Sequence, residues 1–121
     1  VGSEMCIRDR DIAVVGIGYP NEKSAIMATG YFKENEIESL IDRKVAGELC
    51  MQFYDIYGDT APYKDDNNVI GMDISMLRSV PRSIGIAGGV EKLRAVRGAI
   101  NGHYINTLIT DIECAEALIS E

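Results

Sequence analysis

Three residues after the pair Gly88-Gly89 stands Lys92, at the point where the apolar run Ser83 to Ala87 gives way to a helical pattern. Free backbone N–H groups at a helix start, the helix dipole and an ammonium can face one anion there, so the stretch is a candidate phosphate seat. The plain alternative is a tight turn followed by a surface lysine. Glu48, next to Gly47, lies where the chain enters a strand, and its carboxylate could accept hydrogen bonds from sugar hydroxyls or be a solvated strand-end charge. Gly16-Ile17-Gly18 lacks the third glycine of a dinucleotide fingerprint and runs into Tyr19-Pro20-Asn21 instead of a helix start, so no nicotinamide cofactor is inferred. Gly88-Gly89-Val90-Glu91-Lys92 also lacks the spacing that cradles a triphosphate. Asp111 reads as a helix N-cap, not a catalytic acid. His103, the single histidine, has no serine or cysteine partner in a recognisable pattern and reads as exposed. Cys6, Cys50 and Cys114 are far apart and form no CxxC pair, which supports neither a disulfide framework nor a zinc site and suits a reducing cytosol. No catalytic residue, metal or cofactor is expected.

The elements that would position these groups follow from periodicity. Ile12 to Ile17 is a continuous apolar run, as a strand buried on both faces would be. A helix is predicted over 34–43, with Ile37, Leu40 and Ile41 on one face. Residues 48–56 alternate, setting Leu49, Met51 and Phe53 against Cys50, Gln52 and Tyr54, which predicts one strand with two unlike faces. Gly58-Asp59 marks a turn, 59–68 reads as a polar surface loop, and a short strand over 69–71 could follow. Asp73 can cap a short helix carrying Ile74 and Leu77 that Pro81 stops. Beyond it the pattern predicts a strand at Ser83 to Ala87 and a helix over 90–100 with Leu93, Val96 and Ile100 inward. A strand at Ile105 to Thr110 follows, then a helix from Asp111 burying Ile112, Ala115, Leu118 and Ile119. Strand and helix in this rhythm imply right-handed crossovers and an α/β fold, a parallel sheet with helices on both faces. In such a sheet ligands bind outside the carboxyl ends of the strands, where Gly88-Gly89 and Gly16-Ile17-Gly18 fall.

The 121 residues suffice for one domain at most, and 46% hydrophobic with 26% charged residues is the globular average. Nineteen acidic against twelve basic residues give a net charge of −7, which repels a phosphate backbone unless a basic face is concentrated. Arg78, Arg82, Lys92, Arg94 and Arg97 are interleaved with apolar positions and read mostly as solvated faces. No apolar run approaches the roughly 18 residues of a membrane span, so no membrane partner is expected. Residues 1–10 are polar, without the apolar stretch of a signal peptide, and resemble an adapter-derived leader, so 11–121 is taken as the structured part, with upstream protein expected to be missing.

From Asp11 to about Ser120 the chain resembles the second half of the sugar-binding domain of SorC-type (SorC/DeoR) bacterial transcriptional regulators. The matching stretches are Asp11 to Gly18, Val45 to Asp55, Val69 to Met72, Val80 to Gly89 with Lys92, and Ile105 to Asp111, in order along nearly the whole chain. The resemblance implies a Rossmann-like fold of the glucosamine-6-phosphate deaminase, ribose-5-phosphate isomerase and CoA-transferase type, used to sense a phosphorylated sugar. It implies effector contacts from Lys92 to the phosphate and from Glu48 to the hydroxyls, with Gly88 and Gly89 shaping the turn. It further implies a cytoplasmic homo-oligomer that meets DNA only through an N-terminal helix-turn-helix outside this sequence. An isomerase or deaminase of the same fold is the competing reading. One position departs from the pattern: Ala28 stands where many relatives carry an arginine, with Lys23 an alternative anchor.

Overall fold

The structure is a computed structural model that describes residues 11–20, 33–64 and 73–120. Strand β1 (Ile12–Gly18) is followed by helix α1 (Glu34–Asp42), strands β2 (Gly47–Leu49) and β3 (Gln52–Tyr54), and strand β4 (Arg82–Ala87). Helix α2 (Leu93–Asn101), strand β5 (Thr107–Thr110) and helix α3 (Ile112–Ser120) complete the order. Short 3-10 turns at Ala61–Tyr63, Ile74–Ser79 and Val90–Lys92 join them. The five strands form one sheet in the order β3-β2-β1-β4-β5. β1, β4 and β5 run parallel, in registers such as Val14↔Ile84 and Ile86↔Ile109, while β2 and β3 are antiparallel. The sheet is thus mixed, a parallel core edged by a hairpin. The proposed loop residues 65–68, the short strand over 69–71, the leader, Lys23 and Ala28 lie outside the described residues.

One face carries the main core. Val15 and Ile17 of β1 and Ala87 of β4 pack there with Leu49 and Tyr54 against Ala95, Val96 and Ala99 of α2. Small residues let this helix approach closely. A β-carbon on Gly98 would fall 2.6 Å from the Asp55 carbonyl oxygen, and one on Gly47 would fall 2.5 Å from Ala95 Cβ. Tyr54 Oη donates to the Ala95 carbonyl at 2.7 Å, satisfying a hydroxyl that the packing removes from water. On the other face Phe53 joins Ile37, Leu40, Val45 and Tyr63 in a second cluster beneath α1. Tyr54 and Phe53, consecutive on β3, point to opposite sides as a pleated strand requires. Helices therefore lie on both faces.

Several elements differ from the sequence expectation. β1 is not buried on both sides: Ile12 is 53% and Val14 59% exposed. With the exposed Ile86 and Ile109 they form an apolar face across three parallel strands that no described residue covers. The alternation over 48–56 is a hairpin, not one strand. It turns at Cys50-Met51, whose φ values of 52° and 65° are the left-handed pair of a two-residue loop that usually needs Asn-Gly. Helix faces were also over-assigned. Ile41 and Ile100 are exposed, and on α3 Cys114 is buried while Ile112 and Ile119 are 76% and 84% exposed. Asp73 does cap its turn, accepting from Ser75 N at 2.9 Å, but the turn is 3-10. The basic residues are not all solvated: Arg78 Nε donates to the Gly102 carbonyl at 2.7 Å, and Arg97 donates to the Leu118 carbonyl at 3.3 Å.

Candidate functional site

The carboxyl ends of β1, β4 and β5 deliver Gly18, Gly88-Gly89 and Asp111 to one edge of the sheet. Glu48 reaches the same edge because β2 is antiparallel to β1 and sets Glu48 opposite Gly18. Gly89 has φ +94°, a conformation that only glycine adopts without strain, and it lets the chain leave β4 and turn into Val90–Lys92. Lys92 ends that turn and is the residue before α2, half-buried among the elements it joins.

Glu48 is half-buried, and its Oε2 accepts from Met51 N at 3.0 Å. Burial raises the carboxyl pKa above its usual value, while the Met51 hydrogen bond and the positive charge of Lys92 pull it down. The charge of Lys92 thus reaches Glu48, although the two stand forty-odd positions apart in the sequence. A carboxylate and an ammonium on one edge can divide a phosphorylated polyol between them, acceptor toward hydroxyls and cation toward phosphate.

Asp111 does more than the N-cap role expected of it. Its Oδ1 accepts from Cys114 N at 2.8 Å, which is the cap, and its Oδ2 accepts from Gly89 N at 2.7 Å. These two bonds hold its carboxyl below the usual range. The Gly89 amide is therefore already spent inside the protein, and the anion seat reduces to the amides of Val90 and Glu91, which open the turn and have no preceding carbonyl to bond. The helix start is also displaced: α2 proper begins at Leu93, so its dipole acts one short turn away from Gly89. Sequence reasoning missed the Asp111 bridge because nothing in a strand-end aspartate signals a partner 22 residues earlier.

His103 sits away from this edge, after α2, exposed and with φ 59°. A cavity of about 350 Å³ opens beside it, lined in part by Tyr57, Asp59, Asp73, Arg78 and Tyr104. Two carboxylates oppose an anion there. The guanidinium is engaged with Gly102 and lies 4.7 Å from the Tyr104 ring centre. The glycine-turn edge also carries carboxylates, Asp111 bonded to Gly89 N and Glu91 folded over Gly89, and differs from the cavity in lying at the carboxyl ends of the parallel strands. Among the described residues no cluster of histidine, cysteine, aspartate and glutamate could hold a metal ion, and no helix is long and apolar enough to cross a membrane.

The chain belongs to the family described as "Putative sugar-binding domain", whose profile matches residues 5–120. It is similar to the sorbitol operon regulator of Klebsiella pneumoniae, 38% identical over 109 residues, covering 90% of this chain and 35% of that protein. It is also similar to the deoxyribonucleoside regulator of Bacillus subtilis (strain 168), 32% identical over 114 residues, covering 94% of this chain and 36% of that one. The crystal structure of full-length SorC from Klebsiella pneumoniae superposes with a TM-score of 0.81 at 34% identity, over 95% of this chain and 37% of that chain. A DeoR family transcriptional regulator from Listeria monocytogenes gives 0.83 at 27% identity, over 92% and 45%. The SorC/DeoR resemblance read from the sequence and the Rossmann-like α/β class are both borne out. The chain spans about a third of the length of the curated relatives it matches.

Proposed function

We propose that this chain is the effector-sensing part of a longer transcriptional regulator and that its effector is a phosphorylated sugar. Lys92 with the amides of Val90 and Glu91 holds the phosphate, Glu48 accepts from the sugar hydroxyls, and Gly88-Gly89 shapes the approach. The observation that carries this is the convergence of Glu48, set opposite Gly18, and of the glycine turn that leads to Lys92 on the carboxyl edge of the parallel strands, where ligands of open α/β sheets bind. The family match and the regulators among the relatives support sensing over turnover. Binding acts by shifting the populations of a cytoplasmic homo-oligomer and so the operator affinity of a DNA-binding domain elsewhere in the longer protein. The open face of β1, β4 and β5 is covered by the rest of the effector domain.

The test is titration of the regulator with ribose 5-phosphate, glucose 6-phosphate and related phosphosugars, followed by calorimetry and by product analysis. Saturable binding without conversion is expected. Steady turnover would favour an isomerase or deaminase, for which Glu48 is the carboxyl group at this edge held in a burial-raised state. Absence of binding across the panel would remove the sugar-phosphate reading.

A further inference from the structure

Gly18 is the last residue of β1 and the register partner of Glu48. Its φ is not in the left-handed region, where among the described glycines only Gly58 and Gly89 are found, so conformational freedom does not explain a glycine here. Space does. A β-carbon built on Gly18 would fall inside the Glu48 carboxylate, with Oε1 its nearest atom and Cδ next at 3.1 Å. Gly16, on the same face one pleat earlier, would meet nothing within 4 Å. The other carboxylate oxygen, Oε2, is tied to Met51 N at 3.0 Å. That amide belongs to the left-handed Cys50-Met51 turn. The carboxylate is thus lodged between two stretches of backbone, the bare end of β1 below Oε1 and the hairpin turn beyond Oε2.

We propose that Gly18 is a positioning residue for sugar recognition: its missing side chain is the slot that lays the Glu48 carboxylate across the end of β1. The part of this statement that concerns sugars rests on the sensing function proposed above. The slot does not. A methyl group at Gly18 pushes Oε1 out of place, and since the clash is with the far end of a flexible side chain, the strand tolerates it while the carboxylate rotates away. The Met51 amide then loses its acceptor.

Five forms of the full regulator decide the matter: the parent, Gly18→Ala, Gly16→Ala, Glu48→Gln and the double variant Gly18→Ala/Glu48→Gln. In the parent the Met51 amide proton resonance follows the titration of Glu48. In Gly18→Ala that response should fall by more than half, and in Gly16→Ala it should persist; a Met51 amide that titrates as in the parent after Gly18→Ala overturns the proposal. In calorimetry Gly18→Ala should weaken the tightest-binding phosphosugar about tenfold or more, leave inorganic phosphate unchanged, and add nothing in the Glu48→Gln background. Equal losses in both backgrounds would show that Gly18 acts without Glu48 and would also overturn it. If the parent binds none of the phosphosugars, the sensing function fails, and the Met51 resonance alone still decides whether Gly18 sets the carboxylate.

Discussion

Replacing Lys92 by alanine removes the ammonium that, on the proposed function, meets the phosphate. A charge-assisted hydrogen bond of this kind is worth about 1.5–3 kcal/mol. Lys92→Ala should therefore weaken phosphosugar binding roughly ten- to a hundredfold in calorimetric titration, with melting nearly unchanged. The Val90 and Glu91 amides would retain weak anion binding, because they act without a side chain. Glu48 makes a prediction of its own through pH. Its folded pKa is raised, chiefly by burial, above the usual 4.5. Below 4.5 the carboxyl is protonated in both folded and unfolded states, and its favourable contribution to stability is complete. As pH rises through the folded pKa the charge forms in a half-buried site, and that contribution is lost. Glu48→Gln removes this loss while keeping an acceptor for Met51. Melting temperatures across about pH 4 to 8 should then fall less steeply toward the alkaline side in the variant than in the parent. A parallel pair of curves would show that Glu48 ionises as freely folded as unfolded.

At the level of elements the Cys50-Met51 turn and the α2 packing call for opposite responses to a small change. Cys50 is exposed and left-handed, a conformation that asparagine accepts more readily, so Cys50→Asn should stabilise by roughly 1 kcal/mol in urea unfolding. Gly98→Ala should cost about 1–3 kcal/mol in the same measurement, because its β-carbon would press on the Asp55 carbonyl and the Tyr54 ring. These two elements also mark where the sequence is and is not legible. β4, the glycine turn and α2 can be read directly, since an apolar strand, a Gly-Gly break and a 3.6-residue period follow each other without interruption. The hairpin cannot, because Cys-Met carries no turn signal and alternation looks the same up to the point where Leu49 faces Gln52. Glu48 and Lys92 can each be singled out from local pattern, but that Glu48 lies opposite Gly18 cannot: it depends on β2 running antiparallel beside β1, which no local pattern encodes. The exposed isoleucines of α3 escape for a related reason. Periodicity tells which residues share a face, and the neighbouring elements decide whether that face is covered.

The whole molecule presents Ile12, Val14, Ile86 and Ile109 together on one face of the parallel strands. A contiguous apolar surface of this kind drives association. The 121-residue chain alone should self-associate in sedimentation velocity, and Val14→Lys should shift it toward monomer with little loss of stability. Placed in the longer regulator the same substitution should destabilise by a few kcal/mol, as expected if the rest of the domain buries that position. Unchanged stability there would mean that the face stays open. The strand order has a consequence in time as well as in space. β1 is made well before β4, yet apart from Ile17 and Gly18, which pair with β2, its ladder is with β4, where Ile12 meets Arg82. At ordinary rates of synthesis, about 5–20 residues per second, the ribosome needs on the order of several seconds to deliver that partner. During this interval the nascent chain carries residues 12–16 of β1 without their β4 partners, the form most readily captured by a chaperone or by another nascent copy. Pauses in translation before Arg82 should therefore lower the soluble yield of the protein, and pauses after β5 should not.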